Sequence, residues 1–170
     1  MEEITHQIRV ISTGGTIDKL YDPISGELGF AESSIPSLLH YANPHNNVAV
    51  TQLLSLDSLD MTDQHRSDIL EACKKSAEKH ILITHGTDTM VETAYALKEL
   101  EAEKHIVLVG AMIPASIKES DAAFNLGYAL SSLQHSQPGI FICMNGRTFS
   151  YREVMKDKSE GCFISTSSGS

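Results

Sequence analysis

Two short stretches hold the residues best suited to chemistry. The first is Thr13-Gly14-Gly15-Thr16-Ile17 and the second is His85-Gly86-Thr87-Asp88-Thr89-Met90. Each places a threonine hydroxyl just after glycine, and the second sets a carboxylate beside it. A threonine hydroxyl is a weak nucleophile until a base or a lysine–carboxylate relay activates it. Asp88 is suited to orienting such a lysine or to holding a substrate ammonium group. Gly14-Gly15 exposes backbone N–H groups in a turn, a geometry that can hold an anion or a developing oxyanion. Plainer roles exist for both stretches. The glycines serve equally in a tight strand-to-loop turn with Thr16 as a local cap, and Thr87 and Asp88 serve in satisfying the first N–H groups of a helix. A phosphate cradle is poorly supported, because neither GxxxxGK[ST] nor GxGxxG occurs.

Both stretches follow apolar, β-branched runs. Gln7 to Thr13 and Ile81 to Thr84 read as buried strands, and Thr89-x-x-Glu92 fits a capping box opening a helix. Further strands are expected over Val48–Leu56, Ile106–Val109 and Ile140–Met144. Between them lie helical patterns. Ser34 and Pro36 open a short helix through Tyr41, ended by Asn43-Pro44, and Thr62 caps one carrying Ile69, Leu70, Cys73 and Ala77. Met90, Ala94 and Leu97 share a stripe, as do Ala123, Leu126, Gly127, Leu130 and Leu133, with Ser120 or Asp121 as cap. Asp18 to Gly29 reads as a flexible loop, a hairpin or a lid, and Asn145 to Gly161 shows no period. Strands alternating with helices predict an α/β fold: a mostly parallel sheet flanked by helices on both faces, three layers in all. Open sheets of this kind bind ligands at the carboxyl ends of their strands, where both threonine stretches fall.

The 170 residues suit a single domain, 1–170. A formal net charge of −9 disfavours a nucleic-acid partner, since phosphate binding draws on Lys and Arg. The first residues lack the charge and apolar runs of a signal peptide, and no run nears the ~20 apolar residues that span a bilayer. No membrane association is expected. Cys73, Cys143 and Cys162 lack metal-ligand spacing and read as free thiols in a cytoplasmic protein. The eight histidines form no HxH or HExxH pattern, so no metal is expected. Residues 165–170, rich in serine, read as a mobile tail.

The two stretches, taken together and in this order, resemble the signature motifs of the bacterial-type L-asparaginase family. Other segments are similar to that family as well: Ser58-Leu-Asp-Met61, Gly110-Ala-Met-Ile-Pro114, Ser120-Asp121 with Phe124-Asn125-Leu126, and Arg152-Glu-Val-Met-Lys156. The resemblance implies the Rossmann-like fold of the family's N-terminal domain. It implies hydrolysis of the side-chain amide of L-asparagine, with no cofactor. Thr16 would be the primary nucleophile. Thr87, Asp88 and Lys156 would form the relay of the second threonine, with Lys158 as the alternative lysine. Tyr21, the only tyrosine of the 18–29 loop, would assist Thr16, although Phe30 competes for the aligned position. Ser58 and Asp88 would hold the substrate's α-carboxylate and α-amino groups, within a pocket that includes Gly15, Leu59 and Gly86. The backbone around Thr87 and Ala111 would hold the amide oxygen.

The chain departs from the family at Leu59, where a polar residue is common, and in ending where family members continue into a second domain. A short form without a C-terminal domain is expected, completed by a homodimer or a higher homo-oligomer. The rival readings are a non-catalytic amino-acid binding module and an amidohydrolase for another amide such as L-glutamine.

Overall fold

The computed structural model describes residues 7–135 and 137–167. Its central sheet has six strands in the order β4-β1-β5-β6-β7-β8. Strands β1 (Gln7–Gly14), β4 (Asn47–Leu56), β5 (His80–Thr84), β6 (His105–Val109) and β7 (Gly139–Met144) run parallel. The edge strand β8 (Arg147–Ser150) is antiparallel to β7. The interior of the sheet is nearly all apolar because both of its faces are covered. Ile81 and Ile83 point to one layer and Leu82 to the other; Ile106 and Leu108 likewise oppose Val107 and Val109.

One layer packs α2 (Asp63–Lys75) and α3 (Met90–Ala96) through Ile69, Cys73, Met90 and Ala94. The other packs α1 (Ile35–Ala42) and α4 (Ala122–His135) through Ile35, Leu39, Leu126 and Leu130. Thr62 caps α2 as expected, in a reciprocal pair with His65. The Asp18–Gly29 stretch includes a hairpin, β2 (Lys19–Asp22) against β3 (Glu27–Phe30), with Tyr21 opposite Leu28.

Three expectations need correction. Thr89 precedes α3 but makes no capping bond; its hydroxyl donates instead to the Ser58 carbonyl at 2.8 Å. The inward stripe of α4 is Ala122, Asn125, Leu126, Ala129, Leu130 and Leu133, while Ala123 and Gly127 face outward. Asn125 lies inside because its side chain donates to the Gly110 carbonyl at 3.0 Å and accepts from the Asn145 N–H at 3.1 Å. The 145–161 stretch, which shows no period in the sequence, carries beyond β8 the strand β9 (Val154–Asp157), which pairs with β10 (Cys162–Ser165). Ser165, read as the start of a tail, is the last residue of β10, and the Thr166 N–H bonds the Glu153 carbonyl at 3.1 Å. Residues 168–170 lie outside the described ones. No helix among the described residues is long and apolar enough to cross a membrane.

Candidate active site

Parallel pairing sets the carboxyl ends of β1, β4, β5 and β6 side by side, with Ser12 level with Thr84 and Thr84 with Val109. The loops leaving these ends meet through glycines. Gly15, at φ 78°, leaves no room for a side chain: an added Cβ would lie 2.3 Å from the Gly86 amide nitrogen. A Cβ on Gly86 would lie 2.6 Å from Ser58 Oγ, and one on Gly110 2.4 Å from the His85 carbonyl. Backbone contact of this closeness is available only to glycine. It joins the turns that bear Thr16, Thr87, Ser58 and Ala111.

Thr16 opens a single 3-10 turn, Thr16–Asp18, and is half-buried. The turn is anchored by Asp18, whose buried carboxylate accepts from Ser12 Oγ at 2.8 Å, Ser33 Oγ at 3.0 Å and the Ser34 N–H at 2.8 Å. A charge out of water is tolerable when donors surround it in this way. The Gly15 N–H donates to the Leu56 carbonyl at 2.8 Å, and the Ala115 N–H to that of Ile17 at 3.1 Å. The nucleophile candidate is therefore held from three sides.

Lys156 projects from β9 into the second threonine turn. Its Nζ donates to Thr87 Oγ1 and to Asp88 Oδ1, both at 2.8 Å. Only 12% of the Lys156 side chain is exposed. Tyr151 and Arg152 brace the approach to β9. Tyr151 is buried edge-on against Tyr95, and Arg152 makes a two-pronged ion pair with Glu101.

His85 sets the turn from beneath. It is fully buried, and its Nδ1 lies 2.8 Å from the Gly86 carbonyl, which can only accept. That assigns the proton to Nδ1 and leaves Nε2 to accept from Thr93 Oγ1 at 2.7 Å. Loss of hydration pushes the His85 pKa down to about 4, so the ring is neutral at pH 7.

Ser58 is 1% exposed and opens the 3-10 turn Ser58–Asp60. Its Oγ has no hydrogen-bond partner among the described residues, although it is buried beside Gly86. A buried hydroxyl facing a polar turn is suited to a ligand. Asp57 caps this turn, its Oδ1 accepting the Leu59 N–H at 3.1 Å while Oδ2 pairs with Lys19 Nζ at 2.5 Å. The Lys19 bond, aided by the Leu59 N–H and the charges of Lys19 and Lys156, holds the Asp57 carboxyl below its usual range.

The sequence-derived candidates thus divide. Gly15, Thr16, Ser58, Gly86, Thr87, Asp88, Ala111 and Lys156 lie on the joined turns or bond to them. Lys158 is exposed in the turn after β9, and no hydrogen bond or ion pair joins it to Thr87 or Asp88 among the described residues; Lys156 makes that contact. Tyr21 is 63% exposed on the hairpin and Leu59 67% exposed. Asp18, Asp57 and Lys19 escaped sequence reasoning. Their polar types in a loop signal nothing by themselves, although the Asp57-Ser58 pair ahead of a turn is a capping signal. Among the described residues no group of His, Cys, Asp and Glu is arranged to hold a metal ion.

These features define an α/β protein with a polar threonine–aspartate–lysine site at the carboxyl edge of a parallel sheet. The chain belongs to the asparaginase family: residues 7–169 match the family described as Asparaginase, N-terminal. It is 33% identical over 159 residues to a probable periplasmic L-asparaginase of Haemophilus influenzae, covering 88% of this chain and 46% of that protein. A glutaminase-asparaginase of Acinetobacter glutaminasificans is 29% identical over 164 residues, covering 89% of this chain and 50% of that protein. The thermostable L-asparaginase from Thermococcus kodakarensis superposes with a TM-score of 0.83 at 28% identity, over 94% of this chain and 51% of that one. The chain spans about half the length of these relatives.

Proposed function

We propose that this chain hydrolyses the side-chain amide of L-asparagine to L-aspartate and ammonia by double displacement. The observation that carries the reading is the Lys156 ammonium group placed 2.8 Å from both the Thr87 hydroxyl and the Asp88 carboxylate. In this reading Thr16 Oγ1 attacks the amide carbon and its proton goes to the departing ammonia. Water then attacks the acyl-enzyme, and its proton passes by way of Thr87 and Lys156, the lysine oriented by Asp88, to Thr16 Oγ1 as that oxygen leaves and L-aspartate is released. Backbone N–H groups around Thr87 and Ala111 stabilise the oxyanion. Ser58 Oγ, buried and without a protein partner, takes the substrate carboxylate, and Asp88 takes the ammonium. Tyr21 assists Thr16 if the hairpin folds inward over the turn.

L-Glutamine is the second substrate to test. The glutaminase-asparaginase relative motivates it, and one added methylene is worth only about 1–3 kcal/mol of discrimination in a pocket. The site's open rim, with Leu59, Met112, Ile113 and Ile117 exposed, supports assembly as a homodimer or higher homo-oligomer that covers it. We assign the protein to the cytoplasm on its three unpaired cysteines. The test is ammonia release by the purified protein from L-asparagine and, separately, L-glutamine. Turnover of asparagine is expected; silence on both amides overturns the proposal.

A further inference from the structure

Two carboxylates beside the joined turns are each paired with a lysine. Asp88 has Lys156 and Asp57 has Lys19. The second pair plays no part in the proposed chemistry, yet Asp57 immediately precedes Ser58, the residue proposed to receive a carboxylate. Asp57 is needed locally, because its Oδ1 caps the turn that carries Ser58. That cap brings a full negative charge to a place where an anionic substrate group must bind. Lys19 reaches the same carboxylate from the first residue of β2, directly after the Thr16–Asp18 turn. Its chain is steadied by the Phe30 ring, 5.9 Å from Nζ, and its carbonyl accepts from Ser116 Oγ at 3.1 Å.

We propose that Lys19 is a specificity-determining residue, whose pairing with Asp57 cancels the negative charge beside Ser58 and so admits a substrate bearing a free carboxylate. The inference rests on the proposed amide hydrolysis for its substrate. A merely structural latch between the hairpin and the end of β4 makes the opposite forecast for one variant. If the pair were only a latch, Asp57→Asn would harm the enzyme as Lys19→Met does. If charge is at issue, Asp57→Asn removes the repulsion while Asn keeps the cap.

The experiment measures KM and kcat for L-asparagine in wild type, K19M, D57N and K19M/D57N. An uncompensated unit charge a few Å from the binding group weakens anion binding by roughly tenfold in a partly wet site. K19M is expected to raise KM by about that factor with kcat little changed. The double variant is expected to restore KM to near wild type, and D57N not to raise it. A rise in KM for D57N equal to that of K19M, or no rescue in the double variant, overturns the inference. Should K19M fail to fold, D57N decides alone: a KM at or below wild type sustains the inference, and a KM raised about tenfold overturns it. Should wild type release no ammonia, binding of L-aspartate by calorimetry is compared across the same variants. Weakening in K19M and rescue in the double variant then sustain the inference though the hydrolytic reading has failed.

Discussion

Gly15 lies against the backbone of Gly86, so close that a Cβ on Gly15 would sit 2.3 Å from the Gly86 amide nitrogen. This contact fuses the two threonine turns, 71 positions apart in the case of Thr16 and Thr87, into one site. Gly15→Ala should therefore cost more than backbone strain. Gly26, at φ 74° with nothing within 4 Å of an added Cβ, supplies the control. Gly26→Ala is expected to lose about 1 kcal/mol, and Gly15→Ala more than about 2 kcal/mol, read from urea unfolding. Equal losses would mean that the turns can part without cost.

Lys156 is expected to act as a base and not only as a charge. Lys156→Met should lower kcat for asparagine by about 10²- to 10⁴-fold. Lys156→Arg keeps the charge but cannot yield a proton near neutral pH, and should fall as far. Substantial activity in the arginine variant would remove lysine from the relay.

Asp18 holds the Thr16 turn through Ser12, Ser33 and the Ser34 N–H. Asp18→Ala leaves these donors without their acceptor and should destabilise by about 2 kcal/mol or more. Trypsin cleavage after Lys19, next to the turn, should become faster in the native protein. An unchanged cleavage rate would show that the remaining contacts suffice.

Acid should weaken the fold in two steps. Burial lowers the pKa of His85 and His105 to about 4 from 6.5, with the charge of His80 adding to the effect at His105. Their unfolded forms bind protons first, so the stability they contribute is complete above pH 6.5 and lost as pH falls towards 4. A shift of this size on a buried group corresponds to about 3 kcal/mol at most. Glu78 is lowered to about 2, chiefly by Ser76 and Arg9, and its contribution is lost only below pH 4.5. Urea midpoints between pH 7 and 4 should fall, and His105→Phe should flatten the slope. A flat profile in the wild type would contradict the neutral, buried histidines.

Much of this was legible in the sequence, for physical reasons. Buried parallel strands such as Ile81–Thr84 and Ile106–Val109 are continuous apolar runs. The glycine–threonine turns advertise the site because few other residues tolerate such backbone proximity. Hidden were features that depend on distant partners. Residue spacing does not mark Val154–Asp157 as a strand: Val154 is buried, Met155 exposed, and Lys156 is drawn in by Thr87 and Asp88. The stripe read from helical spacing leaves out Asn125, whose amide is wired to Gly110 and Asn145. Thr89 had the spacing of a cap, yet the Ser58 carbonyl lies within its reach and takes the hydroxyl.

The most direct test of the account is the rate of ammonia release from L-asparagine by Thr16→Ala, set beside wild type with folding verified by circular dichroism. A loss of roughly 10³-fold or more is expected for removal of the attacking hydroxyl. Turnover by Thr16→Ala at the wild-type rate would contradict the assignment of Thr16 as nucleophile and, with it, the proposed mechanism.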